Sequence, residues 1–190
     1  MSGLKAYLDN ARAALDAAAA KLDATAVERA VDTVHAALAA DKALLICGNG
    51  GSAADAMHIA GELVGRYLAE RRALKAIALT ADSAVLTAWS NDYSYDSVFA
   101  RQVEGLGEAG GVLWALSTSG NSRNVLAAAE AAHKKRMTVI AMTGEGGGKL
   151  APLADILLAV PSRSTPAIQQ VHICLYHYIC AAVDARIAGR

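Results

Sequence analysis

Five short apolar runs punctuate the chain: ALLIC (43–47), LKAIALT (74–80), GVLWALS (111–117), MTVIAMT (137–143) and ADILLAV (154–160). A strand wetted on one face alternates apolar with polar residues, and these runs do not, so both of their faces must be covered. Between them lie longer stretches whose apolar residues recur at helical spacing. These predict helices at about 52–67, 83–90, 95–105, 122–135 and 165–188, behind two N-terminal helices at 3–21 and 25–40 that break near Asp23-Ala24-Thr25. Strand–helix alternation of this kind dictates an α/β fold: a three-layer, doubly wound, five-stranded parallel sheet with extra N-terminal helices and a long C-terminal helix. Such sheets bind ligands beyond the carboxyl ends of their strands, where the strand order reverses. The loops that matter are therefore 48–52, 80–83, 117–122 and 143–148.

A chain of 190 residues suits one domain, here 1–190, with 54% hydrophobic residues supplying ample core. Lys and Arg total 18 against 18 Asp and Glu, and no basic tract stands out, which argues against a nucleic-acid partner. The surplus of apolar surface predicts self-association. No apolar stretch is long and uncharged enough for a membrane span, and the N-terminus lacks the pattern of a signal peptide. Cys47, Cys174 and Cys180 are odd in number, lack CxxC spacing and sit in apolar elements. They predict buried, reduced thiols in a cytoplasmic protein.

Gly48-Asn49-Gly50-Gly51-Ser52 follows the first strand and opens a helix. Glycines let the backbone turn tightly and bring N–H groups close to an anion, and the helix N-terminus adds a positive dipole end. Ser52 is placed to cap the helix or to donate to an oxyanion. The loop loosely fits a dinucleotide fingerprint, which also needs an acid about 20 positions on. Asp82 stands about 30 positions beyond, which disfavours a nicotinamide site, and the Gly-Lys-Ser/Thr ending of a P-loop is missing. The second loop, STSGNS from Ser117 to Ser122, puts hydroxyls and a glycine where another helix begins. Hydroxyls donate without adding charge, which suits reversible binding of a sugar phosphate. The bland alternative is a polar turn with Ser122 as helix cap.

His58 and Glu62 are four apart, so they share a helix face behind the glycine loop. His35 and His133 fall on positions expected to face solvent. In the final helix Gln169, Gln170, His172 and His177 are polar among apolar residues, and buried polar groups need partners. Together with His58 and Glu62 they could ligate a metal such as zinc or form an acid–base pair. Gln169 and His177 are separated by about 12 Å of helical rise, whereas Gln169 and His172 converge more easily. Sharing one metal between Gln169 and His177 needs long reaches or ligands from two subunits. These considerations leave His172 and His177 both open.

Taken together, CGNGGS, DAMHIAGELVGRY, SND, STSGNS, TG with its glycine run, and IQ followed by His at +3 and +8 resemble the phosphoheptose (sedoheptulose-7-phosphate) isomerase family of the sugar isomerase (SIS) domain superfamily. The resemblance covers nearly the whole chain. It implies conversion of sedoheptulose 7-phosphate to D-glycero-D-manno-heptose 7-phosphate, which starts the bacterial supply of activated heptose for lipopolysaccharide core or other surface glycans. It implies a homotetramer with active sites between subunits, residues 1–40 serving oligomerisation and 41–190 forming the sugar-phosphate-binding core. It also implies one zinc per subunit, held by His58, Glu62, Gln169 and His177. The substrate-binding positions would be Asn49, Gly50, Gly51, Ser52, Glu62, Asn91, Asp92, Ser117, Thr118, Ser119, Ser122 and Gln169. Glu62 would be the base and His177 the acid. The resemblance selects His177 over His172.

The chain departs from the family where RIQE is common: it has Ala167-Ile168-Gln169-Gln170 after Pro166, which removes an arginine near the site. Two rival readings remain. One is a non-catalytic module partnering the bacterial replication initiator; similar SIS proteins do so, but they lack the His/Glu pair and final histidine kept here. The other is an isomerase of a different sugar phosphate.

Overall fold

A computed structural model describes residues 3–189. Two helices, α1 (Leu4–Lys21) and α2 (Ala24–Ala39), precede β1 (Leu44–Cys47). Asp23 caps α2 by accepting a hydrogen bond from the Thr25 N–H at 2.9 Å, which is why the helical pattern breaks there. The chain continues through α3 (Gly51–Val64), β2 (Ala76–Ala78), α4 (Ser83–Asp92), α5 (Val98–Leu106), β3 (Val112–Ser117), α6 (Arg123–Lys134), β4 (Thr138–Thr143), β5 (Ile156–Ala159) and α7 (Thr165–Ile187).

All strand pairs are parallel, in the order β2-β1-β3-β4-β5. Because side chains alternate faces along a strand, each central strand feeds two cores. Leu44, Ile46, Val112, Trp114, Leu116, Ile140 and Met142 pack toward α2, α3 and α7. Leu45, Cys47, Leu113, Ala115, Val139 and Ala141 pack toward α5 and α6. The uniform burial of β1 and β3 is the physical reason their sequences carry no polar alternation. The order reverses between β1 and β3, so the crevice for a ligand lies beyond Cys47 and Ser117.

The predicted elements form, with adjusted ends. The helix expected to reach residue 67 stops at Val64, because Gly65 leaves helical geometry and its carbonyl accepts from Arg71 at 2.9 Å. The second strand shrinks to three residues on a sheet edge, where it pairs only with β1. The segment 95–105 divides into a 3-10 turn (Tyr95–Ser97) and α5, the turn opened by Ser94 accepting from the Asp96 N–H. After the glycine turn the chain makes a further 3-10 turn (Gly148–Leu153) containing Pro152.

All three cysteines are free, but the expectation that each is buried fails at Cys174. Cys174 lines an apolar cavity of about 490 Å³ between α1, α2 and α7, with Leu15, Leu22, Val27 and Tyr178 also on its wall. His35 is half-buried rather than facing solvent, whereas His133 is exposed and lies 3.3 Å from Asp155. No helix among the described residues is long and apolar enough to cross a membrane.

Candidate functional site

Both glycine–serine loops converge at the predicted crevice. A pocket of about 310 Å³ is lined by Asn49, Gly50, Gly51 and Ser52 from the first loop, Leu116, Ser117, Thr118 and Ser122 from the second, and Thr165 and Gln169 from α7. The N-termini of α3 and α6 open at this end of the sheet, at Gly51 and Arg123. Helix N-termini carry unpaired N–H groups and the positive dipole end, which favour an anion such as phosphate.

Sequence chemistry explains the pocket's shape. Gly50 caps α3 with φ +56°, a left-handed conformation that side chains disfavour. A Cβ on Gly51 would meet the Gln169 amide nitrogen at 2.4 Å, so only glycine lets α7 approach this closely. Asn49 and the buried Asn124 exchange reciprocal amide hydrogen bonds at 2.8 and 2.9 Å, and the Tyr95 hydroxyl also donates to Asn49. The loop is thereby fixed before any ligand arrives. Ser52 is buried inside the first turn of α3 rather than at its cap. Ser122 sits at the cap position of α6 but makes no capping bond; its Oγ lies 3.0 Å from Ser117 Oγ. These two hydroxyls are therefore paired inside the pocket rather than spent on a turn.

Not every predicted substrate residue lines this pocket. Ser119 is exposed, its hydroxyl accepting from the Asn121 N–H at 3.1 Å. Asn91 and Asp92 are exposed at the end of α4 and bond to each other at 2.9 Å. Asp82 caps α4 by accepting from the Val85 N–H, so it serves a helix rather than a ribose. Thr165, the first residue of α7 and the one before Pro166, is a lining residue that the sequence pattern did not single out.

A second cluster lies farther along α3 and α7. One ligand atom each of His58, Glu62 and His177 falls within 4.8 Å of the others. Nε2 of His58 is 3.0 Å from Glu62 Oε1 and 3.4 Å from His177 Nε2. Two imidazole nitrogens this close cannot both direct protons at each other. With a carboxylate beside them they form a nitrogen–oxygen donor set that fits a borderline divalent cation. The structure thus separates the two histidines that sequence geometry left open. His172 is fully buried, its Nε2 3.2 Å from the Thr143 carbonyl, and burial lowers its pKa from 6.5 to about 4. It belongs to the core. Gln169 stands two turns before His177, against Gly51 in the phosphate-loop pocket.

Glu62 is also anchored from behind. Arg71 donates through Nη2 to the Glu62 carbonyl at 2.8 Å and through Nε to Asp184 Oδ1 at 2.9 Å, both charged side chains being almost wholly buried. Asp184 Oδ2 accepts from the Leu68 and Ala69 N–H groups. Burial alone would raise the Asp184 pKa, but these N–H donors and Arg71 outweigh it and lower the value.

A doubly wound parallel sheet with paired glycine and serine loops at its switch point defines a sugar-phosphate-binding α/β domain, and the SIS domain model matches residues 6–144. The chain belongs to the phosphoheptose isomerase family. It is 53% identical over 161 residues to the phosphoheptose isomerase of Synechocystis sp., covering 85% of this chain and 83% of that protein. Its fold superposes on the phosphoheptose isomerase of Neisseria gonorrhoeae with a TM-score of 0.89 at 44% identity, over 95% of this chain and 97% of that one. For the Francisella tularensis phosphoheptose isomerase the TM-score is 0.91 at 37% identity, over 95% and 96% of the chains. The chain is accordingly an isomerase of sugar phosphates, with a His/Glu group suited to a metal.

Proposed function

We propose that the chain converts sedoheptulose 7-phosphate to D-glycero-D-manno-heptose 7-phosphate through an enediol, the first step toward activated heptose for lipopolysaccharide core or other surface glycans. The observation that carries this reading is the His58–Glu62–His177 cluster, two of its members on the helix that begins in the phosphate-binding loop and the third on α7. A non-catalytic binding module has no use for such a cluster.

The paired hydroxyls of Ser117 and Ser122, with Asn49, Gly50, Gly51, Ser52, Thr118 and Ser119, hold the phosphate end. Its binding energy is spent on orienting the distant C1–C2 unit. Glu62 takes the carbon-bound proton, and His177 protonates the carbonyl oxygen as charge develops there. His58, Glu62, Gln169 and His177 would hold one zinc ion. Zinc in that position would polarise the substrate's carbonyl and diol oxygens.

The assembly in this reading is a cytoplasmic homotetramer with sites between subunits. The exposed apolar residues of α1, Leu4, Tyr7, Leu8 and Leu15, support residues 1–40 as the oligomerisation segment. Asn91 and Asp92, outside the pocket of their own chain, then meet substrate where two subunits join.

A substrate panel tests the assignment. Purified protein is expected to turn over sedoheptulose 7-phosphate with a kcat/KM at least about tenfold above that for pentose or hexose phosphates, the low end of the discrimination that one added or missing carbon unit gives. Preference for a pentose or hexose phosphate would replace the heptose assignment.

A further inference from the structure

Tyr95 and Asn124 both bond to Asn49, yet neither lines the pocket between the two glycine–serine loops. Asn124 stands two residues past Ser122, in the first turn of α6, and is 3% exposed. Its amide donates to Asn49 Oδ1 at 2.9 Å and accepts from Asn49 Nδ2 at 2.8 Å. Tyr95 comes from a third place, the 3-10 turn between α4 and α5, and its hydroxyl donates to the same Asn49 Oδ1 at 2.9 Å. That turn is itself braced, with Trp89 Nε1 donating to Ser97 Oγ at 2.8 Å. The Arg123–Asp96 ion pair also joins the turn to α6, but both side chains are more than half exposed, so it contributes little.

An amide oxygen has two lone pairs, and Asn49 Oδ1 has both engaged. One of its two amide protons is engaged as well. The side chain is thus committed to protein partners, and what the loop offers an anion is one amide proton and its main-chain N–H groups. We propose that Tyr95 and Asn124 are positioning residues that lock the two phosphate loops at one spacing through the Asn49 side chain. Asn49 belongs to the first loop, and Asn124 rides on the helix that the second loop opens. The amide pair therefore spans the crevice between the N-termini of α3 and α6. Two helix ends make one anion site only when they point at the same place, and hydrogen bonds weaken steeply out of line. Every loop arrangement that misses that place lowers the apparent affinity in proportion to its population. The latch removes such arrangements, because an Asn124 amide buried without Asn49 would be left unpaired.

This inference rests on the reading that the crevice holds a phosphate; it needs neither the heptose nor the metal. Two probes keep these apart. Inorganic phosphate titrated into the purified protein, followed by 31P NMR, reports the anion site alone, with its place confirmed by weakened binding in Ser122→Ala. Steady-state kinetics with sedoheptulose 7-phosphate gives KM and kcat. Tyr95→Phe removes one half-exposed oxygen and keeps the ring. It is expected to weaken phosphate by about 2- to 10-fold and to raise KM alike, with kcat within about twofold of wild type, the pattern of binding lost equally from ground and transition states. Asn124→Ala removes two buried bonds and is expected to cost about tenfold or more. In an Asn49→Ala background Tyr95→Phe is expected to add nothing, because its acceptor is gone. Melting curves show which variants are folded, and Tyr95→Phe keeps the test available if Asn124→Ala is not.

Unchanged phosphate affinity in either folded variant overturns the proposal. So does a Tyr95→Phe loss as large in Asn49→Ala as in wild type, which would place the action of the hydroxyl elsewhere. A wild type that binds no phosphate removes the latch together with the phosphate reading. A wild type that binds phosphate in a Tyr95-dependent way, yet leaves sedoheptulose 7-phosphate unchanged, upholds the latch and removes the heptose assignment.

Discussion

Glu62→Gln is expected to lower kcat by about 10²-fold or more while leaving the fold intact, the usual scale for removing a general base. Glutamine keeps the size and planarity of the side chain but has no basic oxygen able to take a proton from carbon. Glu62 lies on α3 with its side chain 21% exposed, and the isosteric amide keeps its packing there. Its main-chain carbonyl, bonded to Arg71, is the same in the variant. KM is expected to change little, because the phosphate loops supply most of the substrate contacts. Steady-state kinetics with a parallel melting curve decides the matter; near-normal turnover by the folded variant excludes Glu62 as the base.

Asp184→Ala is expected to cost about 3–5 kcal/mol of stability, the range for removing one partner of a buried ion pair. All three guanidinium nitrogens of Arg71 are engaged: Nε on Asp184, Nη1 on the Gly65 and Arg72 carbonyls, and Nη2 on the Glu62 carbonyl. Without Asp184 the guanidinium stays buried with no counter-charge, and the Leu68 and Ala69 N–H groups lose their acceptor. The melting temperature is expected to fall by roughly 6–20 °C for a domain of this size. Denaturant unfolding gives the free energy directly, and a loss below about 1 kcal/mol would mean that water or a rearranged loop replaces the pair.

The sheet was legible because its strands are buried on both faces, and a doubly buried strand has to be apolar throughout. The two loops were legible because close backbone approach to an anion needs glycine, and neutral donation needs hydroxyls. The choice between His172 and His177 was not legible from local geometry. The two are five residues apart on one helix and so face about 140° apart. Only the packing of α7 decides which face meets α3 and which meets β4. The resemblance to phosphoheptose isomerases named His177, and the structure brings that residue to His58 and Glu62.

Tyr95 and Asn124 were harder to see. A tyrosine in a polar turn reads as surface, and an asparagine on an amphipathic helix reads as solvated. Their shared partner Asn49 is 46 and 75 positions away, on the loop of a different strand, so no local pattern announces it. Arg71, past the end of α3, carried no signal at all until Asp184 was found buried against it.

The central claim joins a sugar-phosphate isomerase to a metal group on α3 and α7. Turnover of sedoheptulose 7-phosphate, measured before and after chelation with bound metal counted by elemental analysis, tests it most directly. The account predicts about one zinc per chain, activity lost on its removal, and activity restored by adding zinc back. A folded, zinc-loaded protein that does not turn over sedoheptulose 7-phosphate would contradict it.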